Sequence, residues 1–183
     1  MQHKIQPHIF KGEKMDIFLL VLRLVHVFSG VFWVGGALMM NFFIGPTIGA
    51  TAQAGKQFAG HLILRTRFVT AMTSAAILTV LAGGFLYWRD SQGFTSLWMS
   101  AGSGIGFSIG AVSALVGFVF GAMFGQLNKK MAQIGSQIKG EPTPEQLAQL
   151  RKIQNQLKVI APIQTISLII AVVFMATARY LIF

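Results

Sequence analysis

A histidine and an arginine stand inside the first long apolar run of this chain, within Arg23 to Gly36, which reads Arg-Leu-Val-His-Val-Phe-Ser-Gly-Val-Phe-Trp-Val-Gly-Gly. An ionisable group at a helix centre costs roughly 2.5 to 3.5 kcal/mol on insertion scales, so such residues have a partner or a task. On a helix, His26 shares a face with Arg23, Ser29, Gly30 and Trp33. That face suits cofactor ligation: imidazole is an axial ligand for haem iron, glycine leaves room for a flat ring, and arginine pairs with a propionate. An antiparallel fourth helix would bring Met175 to the same depth, with Arg179 one turn further out. His26, Arg23, Gly30, Trp33, Met175 and Arg179 are therefore the candidate set for a b-type haem, five-coordinate or His/Met ligated, and His26 is the candidate metal ligand. Three further roles for His26 stay open: another metal, a quinone, or a proton relay. The competing reading is a histidine bonded to Ser29 or to a facing carbonyl, with Arg23 reaching outward past Asp16.

His61 is excluded as a second ligand by depth. It opens the second apolar run at the opposite face, about 20 Å from His26 along the membrane normal at 1.5 Å rise per residue. With Arg65 it forms a basic interfacial cap, or a grip on a lipid phosphate. His3 and His8 in the polar tail form a pair without a third ligand, which a terminus carries without function.

Other chemistry is poorly supplied. The absence of cysteine removes disulfides, thiolate metal sites and cysteine nucleophiles together. Asp16 and Asp90 sit at the margins of the apolar runs, so paired-carboxylate catalysis has no groups to use. No nucleophile and base can be matched. No residue is assigned a catalytic role, and the pattern leans away from an enzyme.

The elements that must position these residues follow from hydropathy. In 183 residues, 54% are hydrophobic and 11% charged, with a mean hydropathy of +0.63, which describes a polytopic membrane protein in contact with a lipid bilayer. The formal charge of +10 belongs to loops and headgroup contacts rather than to nucleic acid. Apolar segments at about 16–44, 62–88, 98–125 and 160–183 are each long enough to span. Only helices or closed barrels satisfy their backbone in lipid. The expected fold is an all-α, integral membrane, up-down four-helix bundle, one domain over 1–183.

Lys56, Arg65, Arg67, Lys129, Lys130, Lys139, Arg151, Lys152 and Lys158 fall in the first and third connections, against Lys4, Lys11, Lys14, Arg23, Arg89 and Arg179 opposite. The positive-inside rule then puts both termini outside, in a bacterial inner membrane. Residues 126–160 are polar but carry apolar stripes at helical spacing on either side of Gly140 and Pro142. They predict that helices 3 and 4 extend into a cytoplasmic helical hairpin, with Thr143 capping the second arm and Pro162 kinking its return to the bilayer. The basic face of this hairpin suits anionic lipid or an acidic protein partner. In the third span Gly102, Gly106 and Gly110 make one four-residue ladder, and Gly117, Gly121 and Gly125 another. Such rows allow close helix packing. They could also seat a flat cofactor, a second copy of the chain or another membrane protein.

The segment from Leu24 to Gly36, a histidine followed by a tryptophan and a glycine pair, resembles the first-helix signature of the CopD-like and HemJ-like bacterial membrane proteins. Arg67, Gly83-Gly84 and the closing Ala178-Arg179-Tyr180 are similar to that group as well. The resemblance implies a helical bundle whose histidine binds haem, as in HemJ-like protoporphyrinogen oxidases, or copper. Where HemJ-like enzymes have an arginine after the Trp-Gly segment and a lysine opening the third helix, this chain has Ala37 to Asn41 and Ser100-Ala101. The expected function is haem binding through His26 with an electron-transfer or tetrapyrrole-related role. The alternatives are a non-catalytic accessory subunit of a larger respiratory or photosynthetic complex, and copper-related transport.

Overall fold

Helix α1 (Ile17–Met39) begins where the Asp16 carboxylate accepts from the Leu19 backbone N–H at 3.3 Å, filling one of the donors a helix start leaves free. The computed structural model describes residues 16–182, so His3 and His8 lie outside the described residues. Beyond α1 the helix passes through a π turn (Met40–Ile44) into α2 (Gly45–Ala50). Pro46 accounts for the turn: its ring has no N–H to give and crowds the carbonyl four residues back, and one widened turn relieves both.

The first apolar element therefore reaches Ala50 rather than ending near residue 44, and the connection expected over 45–61 is helical. Ala52 takes a left-handed φ of 46°, and α3 (Ala52–Arg65) follows. The second spanning helix starts later than the expected 62. Thr66 is extended (φ −104°, ψ 171°) and its hydroxyl accepts from the Phe68 N–H at 3.1 Å, so α4 runs Phe68–Asp90. His61 is consequently an exposed residue of α3, outside α4.

A turn organised by the buried Ser91 leads to the short α5 (Ser96–Ser100). The extended Ala101 separates it from α6 (Gly102–Gln137), which moves the start of the third long helix from 98 to Gly102. Gly140, at φ +101°, reverses the chain, and a capping box of Thr143 and Gln146 opens α7 (Pro144–Thr177). That helix continues unbroken through Pro162 and closes in a 3-10 turn, Ala178–Tyr180. No strand occurs among the described residues.

Four helical stretches are long and apolar enough to cross a bilayer: Ile17–Ala50, Phe68–Asp90, Gly102–Gln137 and Pro144–Tyr180. They fit a multi-pass membrane protein, and Phe28 (71% exposed) and Leu81 (67%) present the kind of surface lipid would cover.

The long helices pack as two antiparallel pairs. In the pair α1 and α4, Asp16 meets Arg89, His26 meets Thr79 and Gly83, and Gly36 meets Met72. In the pair α6 and α7, Gly106 meets Ala178, Gly110 meets Met175, Gly117 meets Leu168 and Gly121 meets Gln164. A Cβ at Gly117 would stand 2.6 Å from a methyl of the fully buried Leu168, so this approach requires glycine. The two pairs join in a small core of Trp33, Ala37, Ala75, Ala76 and Leu168, with the Trp33 and Phe118 rings edge to face at 6.1 Å. Two polar contacts reinforce the junction: Asn41 Nδ2 donates to Thr165 Oγ1 at 2.8 Å, and Tyr87 and Ser108 share a hydrogen bond of 2.6 Å.

Candidate functional site

His26 lies half-buried on α1, facing α4, where its Nδ1 is 2.8 Å from the Thr79 backbone carbonyl. A carbonyl only accepts, so Nδ1 carries the proton, and in the neutral ring the lone pair is on Nε2. That second nitrogen has no hydrogen-bond partner among the described residues. The ring fits because residue 83 has no side chain: a Cβ at Gly83 would stand 2.6 Å from His26 Cε1. The Thr79 hydroxyl extends the network, with its single hydrogen shared between the Ala75 carbonyl at 2.7 Å and Ser29 Oγ at 3.0 Å. A helix carbonyl thus holds the imidazole through Nδ1, while the Thr79 and Ser29 hydroxyls tie the two helices together beside it.

The remaining expected residues divide between the two helical pairs. Gly30 lies against Thr79, with a Cβ there 3.4 Å from the threonine methyl. Arg23 is exposed and makes no ion pair among the described residues; the carboxylate nearest in sequence, Asp16, pairs with Arg89 at 3.4 Å. Trp33 is in the core at 4% exposure. Met175 packs on Gly110, whose Cβ position is 3.2 Å from the methionine Cγ and Cε, and Arg179 is exposed on the closing 3-10 turn. Among the described residues, His26 has no hydrogen bond or ion pair with any of Arg23, Trp33, Met175 or Arg179.

For a haem the donor set offers one clear axial ligand, the Nε2 of His26. The space beside Gly30 holds Thr79, and the thioether of Met175 rests against α6. The donor that the residues offer a haem is the imidazole, and Met175 is engaged with Gly110. No group of three or more His, Cys, Asp or Glu side chains forms a metal site among the described residues. The methionines disperse as well: Met72 meets Gly36, Met175 meets Gly110, and Met39 and Met123 are 52% and 43% exposed.

The glycines of α6 contact α7 at Gly106, Gly110, Gly117 and Gly121, and Gly102 is buried in the first turn. Gly125 has nothing within 4 Å of its Cβ position. It borders a cavity of about 150 Å³ between the helical pairs, whose wall includes Trp33, Met72, Phe118, Gly121 and Gln164. Gln164 is buried at 4% exposure and its Oε1 has no hydrogen-bond partner. Gln164 carries no charge, but a glutamine inside the fourth apolar run is itself a signal, because neutral amides also seek partners in lipid. Thr79 and Gly83 have no distinguishing sequence signal beyond being small residues opposite a histidine. Compared with family models, with curated proteins and with solved structures, the chain matches none of them.

Proposed function

We propose that this protein is a multi-pass membrane protein in which His26 would hold a b-type haem, in an electron-transfer or tetrapyrrole-related role. The observation that carries this reading is the division of labour in the imidazole: Nδ1–H donates to the Thr79 carbonyl while Nε2 keeps its lone pair and has no partner among the described residues. Metal-ligating histidines characteristically donate their second ring N–H to a carbonyl or carboxylate, which fixes the tautomer and raises the basicity of the ligand nitrogen. Gly83 admits the ring, and Ser29 and Thr79 hold the helix surfaces that orient it. Arg23 and Arg179, exposed and without ion-pair partners among the described residues, are the cations available to propionates. A bound haem would supply a one-electron couple; the protein's part is to hold and orient the ring and to exclude water from it.

In this reading the protein lies in a bacterial inner membrane as an up-down four-helix bundle with both termini outside, and the continuations of α6 and α7 over 126–160 form a cytoplasmic hairpin. Expression with haem supplementation and a visible spectrum of the purified protein test the function. A Soret band is expected in the parent chain and is expected to disappear in His26→Ala. No Soret band, or one that survives His26→Ala, overturns the reading.

A second reading, a non-catalytic accessory subunit, is favoured by the polar arms. Lys129, Lys130, Arg151, Lys152 and Lys158 are exposed there and have no ion pair among the described residues. The docking surface is then this basic face rather than the glycine ladder, most of which is occupied by α7. Stoichiometric partners retained in mild detergent support this reading, and a stable lone oligomer opposes it.

A further inference from the structure

Between the helical pairs, on the side of the junction toward α3 and away from His26, lies the cavity that Trp33, Phe118 and Gln164 border. We propose that it is an intramembrane binding site for the ring of a lipid-soluble phenol or quinol, whose hydroxyl hydrogen-bonds to the Gln164 amide. The inference stands on residues separate from His26 and does not depend on haem.

Size is the first consideration. The volume of about 150 Å³, in a cleft that is partly open rather than enclosed, is enough for one ring, as in engineered apolar cavities that take up benzene. The walls suit an aromatic guest: Trp33 and Phe118 stand edge to face at 6.1 Å, and Met72 contributes a polarisable thioether. Polarity is the second consideration. Gln164 Oε1 is buried without a partner, and the amide makes no hydrogen bond to any described residue. An unpaired buried amide is expensive, more so in lipid, where no bulk water can reach it. The indole N–H of Trp33 also has no hydrogen-bond partner among the described residues.

A ring hydroxyl suits this wall, because it can accept from the Gln164 Nε2–H and donate its own proton to an acceptor beside it. A carbonyl only accepts, and would use the N–H alone. A plain hydrocarbon would fill the volume and satisfy neither group. Asn128, also on the wall, donates from Nδ2 to the Phe124 carbonyl at 2.9 Å, which leaves its own carbonyl oxygen as an acceptor for a second ring hydroxyl. That pairing favours a dihydroxylated ring.

The test uses the purified full chain in detergent with 4-fluorophenol and fluorobenzene as probes, read by fluorine NMR against protein-free micelles. Saturable binding of 4-fluorophenol is expected, with fluorobenzene at least tenfold weaker. Gln164→Leu should weaken 4-fluorophenol about tenfold and remove its advantage over fluorobenzene. Gly125→Leu, which places a side chain into open space beside the cavity, should abolish binding of both while circular dichroism shows the helices intact. Absence of saturable 4-fluorophenol binding to the parent chain overturns the proposal. So does equal affinity for the two probes, a comparison that needs no variant to fold.

Discussion

His26 and Gln164 are both polar side chains turned inward from apolar helices, and their surroundings differ in kind. The imidazole has been given a carbonyl at 2.8 Å and a glycine to rest on, so half of its hydrogen-bonding capacity is committed to holding α1 against α4. The amide of Gln164 has a glycine beside it, Gly121, but no carbonyl: it borders a cavity and leaves Oε1 unpaired. In lipid a satisfied polar group contributes to helix association, whereas an unsatisfied one opposes it. The first arrangement accounts for itself as structure and leaves one nitrogen to spare. The second accounts for itself only if something else completes it.

The largest effect is expected where the satisfied site is broken by volume. Gly83→Val should destabilise the protein by about 2 to 3 kcal/mol, because the new Cβ would fall 2.6 Å from His26 Cε1 and the ring must leave its carbonyl. The adjacent Gly84→Val, with nothing within 4 Å of its Cβ position, should change stability by less than about 0.5 kcal/mol. Unfolding in detergent followed by circular dichroism measures both. Combining Gly83→Val with His26→Ala should recover part of the loss, since the clash and its victim are the same pair. Simple additivity would show that the ring does not rest there.

A similar but smaller loss, about 2 kcal/mol, is expected for Gly117→Val on the other helical pair, where the new Cβ meets Leu168. Leucine can shift a methyl where a hydrogen-bonded imidazole cannot. If Gly117→Val proved costlier than Gly83→Val, the junction core rather than the histidine contact would be the tighter of the two regions.

Replacing Gln164 should have the opposite sign. Gln164→Leu removes a buried acceptor that has no partner, and is expected to raise stability by about 1 kcal/mol in the same assay. His26→Leu, which removes a made hydrogen bond and leaves the Thr79 carbonyl short of it, should lower stability by about 1 kcal/mol. Two polar-to-leucine changes with opposite signs would separate a structural polar group from one kept for binding. Losses at both positions would erase the distinction.

Much of this arrangement was legible in the sequence because lipid is a simple solvent. Apolar length and the scarcity of internal charge point to four spanning segments, and the glycine spacing of α6 is the spacing at which it meets α7. The ends of the elements were less legible. The π turn at Met40–Ile44 depends on what Pro46 does four residues upstream, and the break before α4 depends on the extended Thr66; hydropathy registers neither. The candidate site was read on one helix face, where His26, Gly30 and Trp33 do align. Their partners lie on other helices, and sequence spacing cannot show that Thr79 fills the space beside Gly30 or that Met175 is seated on Gly110. Gln164 is uncharged and so gives no ionisable-group signal in an apolar run, which is also why it can stay buried without a counter-ion.

The smallest expected effect concerns a third polar contact, at the outer margin of the pair that holds His26. Asp16 and Arg89 meet at 3.4 Å with side chains 48% and 44% exposed, so water and salt compete for both. Asp16→Asn keeps an oxygen for the Leu19 N–H and removes the charge, and asparagine caps helices as well as aspartate does. The ion pair is thereby isolated from the cap, and its loss should cost less than about 1 kcal/mol at low salt. At 1 M salt, where the screening length falls to about 3 Å, the difference from the parent should vanish. The destabilisation by His26→Leu should persist at that salt concentration, because its contact is partly buried between two helices. A salt-insensitive Asp16→Asn effect would mean that the margin is held by the cap geometry, and the contrast between a solvated contact and a lipid-shielded one would then have to be sought elsewhere on α1 and α4.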